Sequence, residues 1–181
     1  MPEFKYLEDG LREFIEAQRV FFVGTAAPEG RVNVSAKGMD TLRVLGRNRI
    51  VWLNLTGSEN ETAAHLLESS RMTLMWCSFE TRTLVLRAYG AAKVFHPRAN
   101  EWSDLIALFP RLPGSRQVVD LNVDLVLTSC GFGIPLFNYV GQRETLQKWG
   151  ERKGPEGVRE FWEKRNQMSI DGRPTHLFSD D

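Results

Sequence analysis

The sequence predicts a mainly β fold, a small antiparallel β-barrel of six or seven strands with flanking helices. Three observations support this prediction. Short β-rich runs follow one another through tight turns, one later run alternates between apolar and polar residues, and strands do not alternate regularly with helices. Connections this short make neighbouring strands antiparallel, because a parallel crossover needs about a dozen residues or more. A doubly wound parallel sheet is therefore disfavoured.

An amphipathic helix is predicted near the start of the chain, over residues 5–18, because apolar residues recur there at helical spacing. Four β-rich runs follow it, and residues that favour turns separate them. These runs are Val20–Ala26, Arg31–Ala36, Thr41–Leu45 and Arg49–Leu55.

The second half of the chain predicts a further hairpin, a long strand and several helices. Arg71–Phe79 and Leu84–Phe95 flank a short turn, and from Val119 onward apolar and polar residues alternate with the period of a half-buried strand. Helices are predicted over residues 60–69, 97–109, 144–153 and 157–168, the last two forming a C-terminal helical segment over 144–168. Since no linker or repeat divides the chain, residues 1–181 are predicted to form a single domain.

The composition excludes several classes of function. The 181 residues include 23 Lys and Arg and 23 Asp and Glu, so the formal net charge is zero and a nucleic-acid partner is not expected. No apolar run reaches the roughly 20 residues of a transmembrane helix, so no membrane partner is expected. The N-terminus is too acidic for a signal peptide and the two cysteines form no disulfide framework, which predicts a cytoplasmic protein. Any bound anion should be a small molecule.

A strand, a turn and a helix start follow one another over residues 52–62, and this arrangement predicts an anion site. Ser58 and Glu61 have the spacing of a capping box, in which both side chains accept hydrogen bonds from backbone amides at the helix start. The remaining free amides and the helix dipole favour a phosphate. Thr56, Asn60 and Thr62 offer further side-chain donors. The alternative interpretation is a helix cap without a ligand.

Basic residues on two neighbouring strands form the second candidate site. Ser35 and Lys37 lie two residues apart at a strand end and therefore share a face, and Arg43 lies between apolar residues in the next strand. A guanidinium in a half-buried strand needs an anion or a carboxylate as its partner. Lys37 and Arg43 could therefore clamp a phosphate or the edge of an electron-rich ring. Alternatively, Arg43 pairs with a neighbouring acid and Lys37 lies at a turn.

The sequence predicts neither a metal site nor a cysteine nucleophile. The three histidines and the two cysteines, Cys77 and Cys130, lack the spacing of metal ligands. No histidine lies near Cys130 in the sequence to activate its thiol. Cys130 is therefore interpreted as an ordinary, partly buried cysteine, and Cys77 as a packing residue on a strand.

Several segments, in this order, resemble the pyridoxamine 5'-phosphate oxidase-like flavoproteins, a superfamily of FMN-binding split β-barrels. The resemblance extends from about Val20 to Thr175, and its specificity comes from the order of the motifs. The motifs are Phe22–Ala26, Val32–Gly38, Arg43–Leu45, Leu55–Leu66, Thr73–Phe79, Leu86–Val94, Thr128–Pro135 and Met168–Thr175.

This resemblance implies a homodimer that binds two FMN molecules at the subunit interface. The family's phosphate ligands lie on a strand and on a later turn and helix start, and they correspond here to Arg43, Val44, Thr56, Gly57, Ser58, Asn60 and Thr62. Ser35 and Lys37 are expected close to the isoalloxazine ring or to the phosphate.

The function that the resemblance implies is that of an FMN-dependent oxidoreductase acting on an unidentified small molecule. The authentic oxidase has an Arg-Lys pair where this chain has Asn60-Glu61, and its C-terminal Trp-Arg-Pro segment has no counterpart here. Pyridoxamine phosphate is therefore not the expected substrate. The alternatives are a flavin-binding or flavin-sensing module without turnover, and a member that binds the deazaflavin F420 or haem.

Overall fold

The computed structural model describes residues 2–58 and 60–179, which form a mainly antiparallel β fold with flanking helices, as predicted. Glu59, in the predicted turn before the second helix, lies outside the described residues. The strands are β1 (Glu3–Phe4), β2 (Phe21–Thr25), β3 (Asn33–Lys37), β4 (Leu42–Gly46), β5 (Arg49–Leu55), β6 (Arg71–Cys77), β7 (Val85–Phe95) and β8 (Ser115–Ser129). The helices are α1 (Asp9–Ala17), α2 (Glu61–Glu68), α3 (Trp102–Ile106) and α4 (Thr145–Arg165).

The strands form one curled sheet in the order β3-β2-β6-β7-β8-β5-β4, and β1 pairs with β8 outside this path. β3 and β4 therefore lie at opposite edges, although only residues 38–41 separate them. Seven strands in a flat sheet span about 28 Å, whereas the chain from Lys37 to Leu42 reaches at most about 19 Å. The sheet must curl into an open half-barrel, which confirms the predicted split barrel.

The strand pairing confirms three predicted hairpins but corrects the expectation of a simple meander. Consecutive strands pair in β2–β3, β4–β5 and β6–β7. However, β3 does not pair with β4. The β2–β3 hairpin joins the sheet through β6 and the β4–β5 hairpin joins it through β8, so β3 and β4 form its two edges. β8 begins at Ser115, before the predicted alternation from Val119, because its polar residues Arg116 and Gln117 are buried and interrupt the pattern.

The main core lies inside the curled sheet and under α1. Phe21 is at its centre, with ring centroids 6.0 Å from Trp52 and 6.3 Å from Trp76. Phe14 and Ile15 of α1 are buried in the same core. A smaller apolar cluster covers the other face of β5 and β8 and includes residues of α3. Within the described ranges, no helix is both long and apolar enough to cross a membrane.

The helix termini differ from the predictions in two places. The predicted capping box is wrong, because α2 begins at Glu61, one position after Asn60, and a glutamate at the first helical position does not reach back to the cap amide. Its carboxylate instead accepts a hydrogen bond from the backbone amide of Ile170, with Oε1 2.8 Å from N. By contrast, the two predicted C-terminal helices are confirmed, because α4 consists of two helical parts that are separated at Gly154, whose φ of 66° and ψ of 172° are non-helical, next to Pro155. α3 is shorter than the predicted helix over 97–109.

Candidate functional site, an anion pocket beside an apolar cleft

Polar side chains from β3, β5, α2 and β8 surround a small pocket of about 130 Å³, here called the anion pocket. The alternation of β3 places Asn33, Ser35 and Lys37 on one face. α2 contributes Thr62 and the carboxylate of Glu61, and β8 contributes Arg116. The curled sheet thus brings together residues that are distant in the sequence.

Arg116 is the most unusual residue of the anion pocket. Its side chain is only 1% exposed, and burial lowers the pKa of its guanidinium to about 9. Nη1 donates a hydrogen bond to Oδ1 of Asn166 at 2.6 Å, whereas Nε has no hydrogen-bond partner among the described residues. No described carboxylate forms a salt bridge with it. A buried guanidinium without a countercharge is costly, so this arrangement favours an anionic ligand.

Lys37 adds a second positive charge to the pocket. Its Nζ donates a hydrogen bond to Oδ1 of Asn54 at 3.3 Å and lies 5.4 Å from the ring centroid of Trp52. Asn54 is itself oriented, because its Nδ2 donates to Oε1 of Gln117 at 3.0 Å. Burial, and then the positive charge of Arg116, lower the pKa of Lys37 to about 8. An anion bound between Lys37 and Arg116 would reduce their mutual repulsion and would offset the cost of burying the two charges.

Further polar atoms of the anion pocket are available to a ligand. Oγ of Ser35 and Oδ1 of Asn60 are buried and have no hydrogen-bond partner in the described part of the chain. In contrast, Thr62 is occupied, because its Oγ1 accepts a hydrogen bond from Nδ2 of Asn33 at 3.2 Å. The pocket therefore offers the Ser35 hydroxyl, the Arg116 Nε–H group and the Lys37 ammonium as donors, which fit the oxygens of a phosphate.

Asn166, which follows α4, connects several residues that line the anion pocket through hydrogen bonds. It is fully buried, and besides receiving the Arg116 bond it donates from Nδ2 to the carbonyl of Gly57 at 3.1 Å. Its own carbonyl accepts from Nδ2 of Asn60 at 3.3 Å and from Oγ1 of Thr175 at 2.7 Å. One residue of the C-terminal segment thus fixes the arginine and the turn after β5 through its side chain, and the start of α2 through its backbone carbonyl.

An apolar cleft of about 490 Å³ adjoins the anion pocket, and Gly57 and Ser58 line both. Met39, Leu146, Trp149 and Phe161 form its apolar walls, and Arg143 also lines it. The rings of Trp149 and Phe161 pack edge to face with centroids 5.3 Å apart. A charged pocket that opens onto an aromatic cleft fits a ligand with a small anionic group at one end and a ring at the other.

Thr56 lies in the wall of the apolar cleft rather than in the anion pocket. Its hydroxyl donates to the carbonyl of Gly114 at 2.8 Å and accepts from Nε1 of Trp162 at 2.7 Å. Both hydrogen-bonding capacities of this hydroxyl are used, so Thr56 positions the turn after β5 against α4.

Arg43 and Val44 lie outside both cavities. Arg43 pairs with Asp40, with Nη1 2.7 Å from Oδ1 and Nη2 3.1 Å from Oδ2, and its Nε donates to the carbonyl of Leu108 at 2.9 Å. Val44 is a core residue and only 4% exposed. The arrangement matches the alternative interpretation of Arg43, a salt bridge with a neighbouring acid.

Of the residues predicted from sequence, six line the anion pocket, namely Ser35, Lys37, Gly57, Ser58, Asn60 and Thr62. Sequence reasoning missed Arg116, Asn54 and Asn166. Arg116 lacks the signal that selected Arg43, because it lies between the polar residues Ser115 and Gln117, three residues before the start of the predicted strand at Val119. Nothing in the sequence around Asn54 or Asn166 indicates that either residue contributes to a binding site.

Comparisons with known proteins agree with this fold. The sequence model of the pyridoxamine 5'-phosphate oxidase family matches residues 7–130. The pyridoxamine 5'-phosphate oxidase family protein ustO of Aspergillus flavus is 33% identical over 203 residues, which cover 96% of this chain and 78% of that protein.

Solved structures show the same fold at lower identity. A putative pyridoxamine 5'-phosphate oxidase from Lactobacillus delbrueckii superposes with a TM-score of 0.56 at 19% identity, covering 68% of this chain and 95% of that one. HupZ of Group A Streptococcus also gives a TM-score of 0.56, at 14% identity and with 68% and 94% coverage. Since the family model matches more than half of the sequence and a relative matches nearly all of it, the chain belongs to the pyridoxamine 5'-phosphate oxidase family.

Proposed function

We propose that this protein binds FMN, with the phosphate in the anion pocket and the ring in the apolar cleft, and that it is an oxidoreductase acting on a small molecule. The observation that carries the proposal is Arg116, a buried guanidinium with an unused Nε–H donor and no carboxylate partner among the described residues. Its neighbour Lys37 is half-buried, and burial together with the positive charge of Arg116 lowers the pKa of its ammonium to about 8.

A phosphate monoester matches the charge of the anion pocket better than a phosphodiester does. Such a group carries a charge of about −1.5 to −2 near neutral pH. Arg116 and Lys37 bring two positive charges to the pocket, beside the carboxylate of Glu61, which accepts a hydrogen bond from the Ile170 amide. The phosphate monoester also brings several acceptor oxygens, which suit the donors at Arg116 Nε, Ser35 Oγ and Lys37 Nζ. FMN ends in this group.

The apolar cleft supports the placement of the ring. Gly57, with no side chain, forms the boundary between cleft and pocket, so a narrow chain can pass from one to the other. Leu146, Trp149 and Phe161 offer apolar and aromatic surface for a planar ring.

Bound FMN would supply hydride or electron transfer. The chain's own residues bind and orient the cofactor: Lys37 and Arg116 neutralise the phosphate, and Asn166 holds the Arg116 guanidinium in place. Trp149 and Phe161 form an aromatic wall of the cleft.

We also infer that the protein is a homodimer in the cytoplasm. The segment after β8 carries large apolar side chains in contact with solvent, namely Phe132, Leu136, Phe137 and Val140, which are 61–99% exposed. A second copy of the chain is the commonest cover for such a surface. The two cysteines are free and one of them, Cys130, is exposed, which suits a reducing compartment.

The first experiment is a visible absorption spectrum of the purified protein, followed by identification of any released cofactor and titration of the apoprotein with FMN. We expect Arg116→Gln to weaken FMN binding about 100-fold, because removing one partner of a buried charge pair costs about 2–5 kcal/mol. The matched control is Arg111→Gln, which removes an exposed arginine beyond the pocket and should bind FMN normally.

The outcomes separate the alternatives. FMN bound equally well by the Arg116→Gln variant would overturn the phosphate assignment, and released haem or F420 would overturn the cofactor assignment. Reduction of the bound flavin by NADH or NADPH, followed by reoxidation, would distinguish an enzyme from a flavin-binding module without turnover.

A further inference from the structure

The turn between β3 and β4 holds two consecutive residues in a backbone conformation that is unfavourable for them. Met39 has φ of 66° and Asp40 has φ of 56°, and both lie in the left-handed region. Asparagine and aspartate tolerate this region, whereas methionine adopts it rarely and at an energetic cost. A glycine at position 39 would form the same turn without this strain.

Several hydrogen bonds fix the turn in this strained form. Arg43 clamps Asp40 through both carboxylate oxygens, and its Nη1 also donates to the carbonyls of Asp40 at 3.3 Å and Leu42 at 2.7 Å. From the other side, Oγ1 of Thr41 donates to the carbonyl of Gly38 at 2.7 Å. The backbone at Met39 is thus over-determined by its neighbours, which is the condition under which strain persists in a folded protein.

The strained residue lines the apolar cleft. Met39 is half-buried and lines the cleft together with Trp149, Phe161 and Arg143. A thioether is polarisable and packs well against an aromatic ring. The adjoining residues of the same turn and strand, Gly38 and Lys37, connect Met39 directly to the anion pocket.

We propose that Met39 is a ring-contacting residue, held in the left-handed conformation by Arg43 and Asp40 so that its side chain packs against the ring of the bound ligand. This inference rests on the proposed function, since it requires a ligand whose anionic end occupies the anion pocket and whose ring occupies the cleft. Arg43 then acts as a positioning residue: it supports ring binding through the turn and leaves the phosphate to Lys37 and Arg116.

The test compares the affinity for FMN with the affinity for inorganic phosphate in three variants at Met39. Met39→Gly removes the side chain and the strain, so we expect FMN to bind at least about 10-fold more weakly, with unchanged phosphate affinity and no decrease in Tm. Met39→Asn, whose side chain tolerates the left-handed region, should lose FMN affinity in the same way. Met39→Leu keeps an apolar side chain of similar volume and should bind FMN within about 3-fold of the wild type.

His176→Gly is the matched control, because His176 also has a positive φ, of 47°, and lines neither cavity. Relief of strain there should leave both affinities unchanged. Equal FMN affinity in wild type, Met39→Gly and Met39→Asn would overturn the role of Met39 and leave FMN binding itself intact. If the Met39 variants lost FMN affinity and phosphate affinity in parallel, the role of Met39 would also be overturned. Met39 would then affect the anion pocket and would not act by contacting the ring. A wild-type protein that binds phosphate but no flavin would overturn the proposed function and this inference together.

Discussion

At the scale of single residues, the anion pocket depends on charges that are unfavourable in the free protein. Lys37 and Arg116 both have lowered pKa values because they are buried, and Lys37 also because Arg116 repels it. A substitution that removes such a charge stabilises the folded protein, because a buried unpaired charge is lost. The same substitution removes a group that binds the anionic ligand. Stability and ligand binding therefore oppose each other in this pocket.

The pKa of Lys37 predicts how anion binding depends on pH. With a pKa of about 8, Lys37 is protonated and positively charged below pH 8 and becomes neutral above it. A phosphate monoester is fully dianionic only above its second pKa of about 6. We therefore expect FMN affinity to be highest between about pH 6 and 8 and to fall about 10-fold or more by pH 9.5. Isothermal titration calorimetry across this range measures the dependence.

Lys37→Arg is the matched variant, because an arginine keeps its charge throughout this range. At pH 9.5 it should bind FMN more tightly than the wild type, although it also loses some affinity there because the pKa of Arg116 is about 9. Lys37→Met should bind weakly at every pH. A wild-type affinity that stays constant from pH 7 to 9.5 would show that Lys37 does not neutralise the ligand.

Some residues of the anion pocket could be predicted from the local sequence, and others could not. Ser35 and Lys37 were found because strand alternation is a local property, and two residues two positions apart share a face wherever the strand lies. Arg43 carried the same chemistry as Arg116, and only the tertiary structure assigns one to Asp40 and the other to the pocket. The pattern of charged and apolar residues in the sequence does not show which carboxylate lies next to which arginine in the folded protein.

At the scale of elements, the segment that follows α4 completes the pocket. Asn166 supplies a hydrogen bond to Arg116, and the Ile170 amide binds the carboxylate of Glu61 at the start of α2. Farther along, Asp171 pairs with Arg31 and Arg173 pairs with Glu68. This segment therefore ties the turn before β3 and both ends of α2 to the C-terminal part of the chain.

We predict that Asn166→Ala lowers the free energy of unfolding by about 2–4 kcal/mol, because it leaves Arg116 buried with no hydrogen-bond acceptor. Urea denaturation measures this change. The control is Asn122→Ala, which replaces an exposed asparagine of β8 and should change stability by no more than about 0.5 kcal/mol.

Asn166→Asp separates the structural role from the electrostatic one. A carboxylate at this position pairs with Arg116 but cannot donate the hydrogen bond that Nδ2 of Asn166 gives to the carbonyl of Gly57, and it cancels one of the positive charges of the anion pocket. We expect a folded protein with FMN affinity reduced about 10-fold or more. Undiminished FMN binding by this variant would contradict the charge-balance argument.

The sequence predicted the elements better than their arrangement. The hairpins β2–β3, β4–β5 and β6–β7 follow from turns between adjacent strands and are local. The pairing of β2 with β6 and of β5 with β8 depends on packing between distant segments. The two-residue strand β1 precedes the predicted helix over residues 5–18, in a segment where no element is predicted, and it exists because β8 provides a partner.

At the scale of the whole molecule, the exposed apolar segment after β8 predicts a dimer. Static light scattering at micromolar concentration should give twice the chain mass of 20.7 kDa. We expect Phe132→Asp to shift the protein toward a monomer, because a buried charge without a partner opposes association. Phe132→Leu keeps the apolar surface and should remain dimeric. A wild-type monomer would contradict the inferred interface.

The order of strands in the sheet also has a consequence for synthesis on the ribosome. The β4–β5 hairpin is complete at Leu55, but its only partner toward the rest of the sheet is β8, which ends at Ser129. At a synthesis rate of about 5–20 residues per second, the nascent chain carries an unpaired edge of β5 for roughly 4–15 s. This edge includes Ile50–Leu53, an apolar run that is fully buried in the finished fold. During that interval a trigger-factor-like holdase, or premature pairing between neighbouring nascent chains, competes for the same hydrogen-bonding groups that β8 later occupies.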